Sequence, residues 1–234
     1  MDKLNRHGKA IGSQNGEAGI IRYIFDTIGS GSKGLVEIGF GRECNAVNLL
    51  SNYGWWGWLF DAEPTNVLMA QLRWLRCKPF LAFVSVENIN KLMEVSEVPK
   101  EVDMLSIDID GNDYWVWKAM TLDARMVVIE YNASFGSEES ITIKYDPEFS
   151  REHINRNYHG ASLRALTRLA KEKGMSLVGC EGSGVNAFFV KDEYLTDELP
   201  AVSPEEAYYP HRLRGDWVTA LAKIREQGYE LVEV

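Results

Sequence analysis

A doubly wound α/β sheet is predicted by three observations. Short apolar runs alternate with helix-length segments along most of the chain, the pattern of repeated strand–helix units. The central runs are apolar almost throughout, as strands covered on both faces must be. Two further runs, 175–181 and 186–191, are joined only by Gly182, Ser183, Gly184 and Val185, a link short enough for an antiparallel hairpin but not for a parallel crossover. Together these predict a seven-stranded, mostly parallel Rossmann-like sheet with one antiparallel strand near its end.

The elements follow in order. Ile20, Ile21, Ile24, Phe25 and Ile28 share one helical face over 18–28, with Gly29 as a stop. GLVEI (34–38) is the first strand. Asn45 is positioned to cap a helix over 46–53, which Gly54 ends. WGWLF (56–60) is the second strand, and Pro64 opens a helix reaching Arg76. FLAFVSV (80–86) reads as the third strand and ENINKLM as a short helix after it. DMLSIDI (103–109), the helix YWVWKAM (114–120) and the strand ARMVVIEY (124–131) come next, then a long polar segment over 132–160. A helix over 161–173 turns Leu163, Leu166 and Leu169 inward and precedes the hairpin. Residues 192–234 contain a helix capped by Asp216 and the run YELVEV. Their pattern leaves three placements open: a cover over the site, a partner contact, or an extension of the sheet.

Length and composition narrow the class. The 234 residues fit one domain, 1–234. The 45% hydrophobic content supplies an ordinary globular core. With 34 acidic against 25 basic residues the net charge is −9, which argues against nucleic acid as a partner and points to a small-molecule substrate; a homo-oligomer stays open. The longest uncharged run, Cys44 to Phe60, contains three asparagines, a serine and two glycines, and is too polar to cross a bilayer. Cys44, Cys77 and Cys180 are an odd number without a short pair spacing. They read as reduced thiols, and with no apolar stretch after the first charges the expected location is cytoplasmic.

In an open α/β sheet, ligands bind beyond the carboxyl ends of the strands. The first strand runs into Glu37-Ile38-Gly39-Phe40-Gly41, where Gly39 and Gly41 allow a ligand close to the backbone. A dinucleotide turn needs a third glycine, and here that position is Cys44 beside Glu43. S-adenosylmethionine (SAM) carries no phosphate, and its sulfonium is cationic, so acidic surroundings suit it. Asp61, 20 residues beyond Gly41 and at the end of the second strand, is placed to accept from both ribose hydroxyls, with Glu63 as a substitute. The plain alternative is a tight turn and a solvated carboxylate.

The fourth strand ends in Asp108-Ile109-Asp110-Gly111-Asn112-Asp113, and the fifth in Glu130-Tyr131-Asn132. Adjacent parallel strands would bring Asp108, Asp110, Glu130 and Asn132 to one small volume, where a hard divalent ion such as Mg2+ would relieve their mutual repulsion. Alternatively Asp110 or Asp113 caps the next helix, or Asp108 meets only the cofactor amine. An EF-hand is excluded because Trp117 stands where its glutamate is required.

Several strings are familiar together: Ser13-Gln14-Asn15-Gly16-Glu17, Val36-Glu37-Ile38-Gly39, Glu43-Cys44-Asn45, Gly54-Trp55-Trp56-Gly57, Glu87-Asn88-Ile89-Asn90, Leu105 through Trp115, and Val128 through Asn132. Over roughly residues 12–191 the chain resembles the FkbM-like group of SAM-dependent methyltransferases. The resemblance implies a class I methyltransferase fold and methyl transfer to an oxygen, often of a sugar or polyketide-like metabolite. It adds Gln14, Asn45, Glu87 and Asn88 to the cofactor-binding candidates Glu37, Gly39, Gly41, Asp61, Glu63 and Asp108. Ser106 and Asp110 stand where the better-known pattern has a lysine and a glutamate. Asp108 and Glu130 also match the acids of metal-dependent sugar and macrolide O-methyltransferases, whose second acid after the fifth strand is absent here.

Methyl transfer to a hydroxyl needs a base or a metal. Asp108 is one catalytic candidate. Of His7, His153, His159 and His211, His159 is the base candidate, because it lies in the long segment after the fifth strand; the alternative is an ordinary loop histidine. The rival functions are a nicotinamide-dependent oxidoreductase and a non-catalytic SAM-binding domain.

Overall fold

The computed structural model describes residues 4–42, 44–151 and 155–234. The main sheet is built from β1 (Gly34–Ile38), β2 (Trp56–Asp61), β3 (Cys77–Leu81), β4 (Glu101–Ile107), β5 (Asp123–Glu130), β7 (Met175–Cys180) and β8 (Asn186–Lys191). Their order is β3-β2-β1-β4-β5-β8-β7. β1 to β5 run parallel, and β8 lies antiparallel between β5 and β7. This is the predicted doubly wound sheet with its terminal hairpin. The order reverses between β1 and β4, so the crevice at their carboxyl ends is the expected ligand position.

Each face of the sheet carries its own core, as the continuous apolar strands require. Val36, Leu105, Val127 and Phe189 face α5 (Asp113–Ala119) and α6 (Leu163–Glu172). Leu35, Met104, Val128 and Phe188 face α1 (Glu17–Ile28) and α2 (Val47–Asn52). Gly29 ends α1, and Pro64 opens α3 (Pro64–Arg73), as their chemistry predicts.

Three segments differ from the sequence reading. The third strand is Cys77–Leu81, not 80–86. Its neighbour β2 ends at Asp61, which pairs with Leu81, and the Ala82 N–H donates to the Asp61 carbonyl as the last link. Beyond it the apolar residues have no strand to pair with and turn into the crevice. α2 has no side-chain cap, because its cap position falls on Ala46, one residue beyond Asn45, whose side chain donates to Ser106 Oγ at 3.2 Å. Finally, the polar segment after β5 contains a strand, β6 (Ile141–Ile143), which pairs antiparallel with β9 (Leu231–Glu233) from the tail.

The tail thus builds a second small sheet and does not extend the first. α7 (Pro204–Ala207) carries a complete capping box from Ser203 and Glu206. α8 (Trp217–Glu226) is capped by Asp216, which accepts from the Thr219 N–H at 2.9 Å. Between the two helices, residues 208–216 pass over the carboxyl edge of β5, where Tyr131 Oη donates to the Tyr209 carbonyl and Tyr208 Oη to that of Ala133. The described cysteines are all free, and no helix among the described residues is long and apolar enough to cross a membrane.

Candidate functional site

A cleft of about 290 Å³ lies at the carboxyl ends of β1, β2 and β4. Gly39, Gly41, Asp61 and Asp108 wall it, with Phe83, Val84, Asn112 and Phe149 completing the sides. Gly39 has φ 73, and a Cβ there would overlap the Asp108 carbonyl. The turn after β1 can therefore cross the end of β4 only as glycine.

Asp61 organises the wall. Its Oδ2 accepts from the Gly41 N–H at 2.8 Å, and its Oδ1 from the Glu63 N–H at 2.8 Å and from Asn66 Nδ2 at 3.2 Å. The carboxylate ties the glycine turn to the start of α3, and one lone-pair direction, on Oδ2, stays available to a ligand.

Other cofactor candidates are committed elsewhere. Glu37 is buried, and its carboxylate accepts from the Asn45 N–H at 2.7 Å, the Ala46 N–H at 3.1 Å and Cys44 Sγ at 3.0 Å. Burial raises it to about 6, against the pull of those bonds. It holds the turn into α2 together from behind. Glu63 caps α3 through the Thr65 N–H. The Asn88 side chain closes the loop before α4 (Ile89–Val95), taking the Ser85 N–H and donating to the Phe83 carbonyl. Exposed Glu87 accepts from Tyr145 Oη at 2.6 Å. Gln14 lies in a separate depression with Asn5, Glu181 and Arg212. None of these lines the cleft, so the sequence strings mark residues that shape its walls. Glu43 and His153 lie outside the described residues.

Beside the cleft is the acid cluster. Asp108, Asp110 and Glu130 each bring a carboxylate oxygen within 4.8 Å of the others. Burial raises the Asp108 carboxyl well above its ordinary range, and Glu130, Asp113 and Asp110 add to the shift. Asp113 is buried and accepts from the N–H groups of Ile109 and Gly111, bracing the loop after β4; burial and then Glu130 raise it to about 7. Burial also opposes the charge on Glu130, but His159, Arg151 and Arg214 outweigh it and hold the carboxyl at about 2.

The cluster corrects two expectations. Asn132 is no metal ligand: its Oδ1 accepts from the Ser134 N–H at 2.9 Å, and its Nδ2 donates to the carbonyls of Asn157 and His159. His159 does not reach the cleft. It is wholly buried, with Nε2 at 2.9 Å from Arg214 and 3.6 Å from Glu130 Oε1. Burial lowers its pKa while Glu130 pulls the other way, and it supports Glu130 from behind.

Two arginines converge on the same acids. Arg151 pairs with Asp110 and lies 3.9 Å from Glu130 Oε1, and Arg214 lies 3.8 Å from that oxygen. Glu130 Oε2 is buried without a hydrogen-bond partner. The three carboxylates are hard oxygen donors of the kind Mg2+ takes. Arg151, paired with Asp110 and 3.9 Å from Glu130 Oε1, competes for the position a cation would take against two of them. Nothing local in the sequence marks Arg214: it arrives from a tail 84 positions after Glu130. Phe83 and Val84 were hidden by the apolar run that reads as strand.

The chain matches no known protein family and no curated protein. Among solved structures it is similar to the N-terminal domain of EvdMO1, determined in the presence of SAH and D-fucose, at 11% identity and TM-score 0.46, over 75% of this chain and 82% of that one. It is also similar to a S-adenosylmethionine-dependent methyltransferase from Clostridium acetobutylicum (11% identity, TM-score 0.47, 74% and 90% of the two chains). A third is an O-methyltransferase family protein from Burkholderia thailandensis (11% identity, TM-score 0.43, 73% and 55%).

Proposed function

We propose that this protein is a SAM-dependent methyltransferase that places a methyl group on an oxygen of a small hydroxylated acceptor. The observation that carries this reading is the use made of Glu37. In a dinucleotide site, the N–H groups at the start of the helix after the glycine turn bind pyrophosphate. Here the N–H groups of Asn45 and Ala46 already bond the buried Glu37 carboxylate. No anion can take their place without leaving that carboxylate unpaired. The cleft in front offers Asp61 and Asp108 instead, which suits a ribose diol at one end and a cationic sulfonium and amine at the other.

Transfer is an in-line displacement: the acceptor oxygen forms a bond to the methyl carbon as the carbon–sulfur bond breaks, and the acceptor proton leaves. The enzyme's task is to hold oxygen and methyl about 3 Å apart in line. Asp108 is the group best placed to take the proton. It walls the cleft where the acceptor oxygen must approach the methyl group. Phe83 and Val84 offer an apolar surface for the adenine beyond Asp61.

Calorimetry with SAM and its demethylated product SAH tests the cofactor reading. Micromolar binding of SAH, with NAD giving no heat, supports it. The reverse result refutes it. A methyl-transfer screen over hydroxylated acceptors then tests the reaction.

A further inference from the structure

The acid cluster has its own cations. Asp108, Asp110 and Glu130 crowd one volume, and the groups that face them from outside the cluster, among the described residues, are Arg151, Arg214, His159 and, further out, His211. Buried Asp113 sits behind, with its carboxylate on the N–H groups of Ile109 and Gly111. The two guanidinium groups come from different covering segments. Arg151 belongs to the stretch after β6, and Arg214 to the tail between α7 and α8. Both side chains are mostly buried, at 22% and 14% exposure. Both reach Glu130 Oε1, and Arg151 also takes Asp110.

We infer that Arg151 and Arg214 are positioning residues that supply the positive charge the acid trio needs, so that transfer proceeds without a divalent ion and the trio clamps the two covering segments over the acceptor side. The inference rests on the SAM reading and deepens it. Two guanidinium groups already face the three acids, so the volume holds its own fixed positive charge before any cofactor enters. A divalent ion entering the same volume would face two fixed guanidinium groups and the sulfonium at short range, an arrangement that low local dielectric makes costly. Guanidinium groups are not released by chelators and do not lose their protons. Clamping also explains why Glu130, at the last position of β5, is held charged in a buried place.

The test uses Mn2+ as probe, followed by electron paramagnetic resonance, on the full chain with SAH bound. The wild type should take up no Mn2+ at about millimolar concentration. Arg151→Gln combined with Arg214→Gln frees the three carboxylates and should tighten Mn2+ binding by about tenfold or more. Arg151→Lys combined with Arg214→Lys, which keeps both charges, should exclude the ion as the wild type does. SAH affinity, measured on each variant by calorimetry, should stay within about threefold of the wild type. Stoichiometric Mn2+ on the wild-type protein, lost in Asp110→Asn, overturns the inference. So does a double variant that binds SAH yet gains no Mn2+. Where the double variant does not fold, the wild type and Asp110→Asn decide alone: Mn2+ on neither supports the inference, and Mn2+ on the wild type only overturns it. A wild type that binds no SAH refutes the cofactor reading separately and leaves the Mn2+ result readable.

Discussion

Replacing Asp61 by asparagine tests the site with the smallest change of shape. The carboxylate receives three hydrogen bonds, two of them on Oδ1 and one, from the Gly41 N–H, on Oδ2. An asparagine keeps the most bonds by turning its oxygen toward Glu63 and Asn66. Its NH2 group then faces the Gly41 N–H, donor against donor. The turn loses one hydrogen bond to a charged group, about 1.5–3 kcal/mol, and the melting temperature should fall by roughly 4–8 °C for a loss near 2 kcal/mol. A bound ribose loses an acceptor as well and meets a displaced turn, so SAH affinity should fall by about tenfold to a hundredfold. Differential scanning fluorimetry gives the first quantity and calorimetry the second. An Asp61→Asn protein that melts lower but binds SAH within about threefold of the wild type would show that Asp61 braces the turn without touching cofactor, and the ribose assignment would be wrong.

Other substitutions probe separate features. Gly39→Val drives a side chain into the Asp108 carbonyl and should abolish SAH binding in calorimetry. Leu166→Ala, at a fully buried position of α6, should cost about 2–5 kcal/mol in denaturant unfolding while SAH binding persists. The pH dependence of stability follows from the raised buried carboxyls, Asp108 together with Glu37 at about 6 and Asp113 at about 7. In the fold they keep protons that the unfolded chain releases near its ordinary carboxylate values. Their contribution is therefore full below those values and is lost as pH rises through 6 and 7. Melting temperature should decline from about pH 4.5 to about 7, and Asp113→Asn should flatten that decline. Glu130 acts oppositely at low pH: held at about 2, it contributes stability that disappears only as pH falls toward that value.

What could be read without the fold was whatever the chain writes locally. Apolar runs and helical faces have periods of two to four residues, and Gly29, Pro64 and Asp216 act on their immediate neighbours, so most strands and helices were legible. Gly39, Gly41, Asp61, Asp108, Asp110 and Glu130 were legible because they end strands or follow within three residues of a strand's end, and parallel strands in one sheet must end at one edge. Folding decided everything that depends on which distant group arrives. Phe83 and Val84 read as strand, and became cleft wall only because β2 stops at Asp61. Glu37 and Asp61 both lie at strand ends, yet one side chain turns to backbone N–H groups behind the turn while the other faces the cleft. Asn132 and His159 look like ligand and base in the sequence, but burial against Ser134, Asn157 and Arg214 committed their polar atoms to the protein itself. The counter-cations of the acid cluster come from residues 151 and 214, brought there by packing of the two covering segments. A pairing at that separation leaves no period in the sequence, because only the tertiary contact creates it.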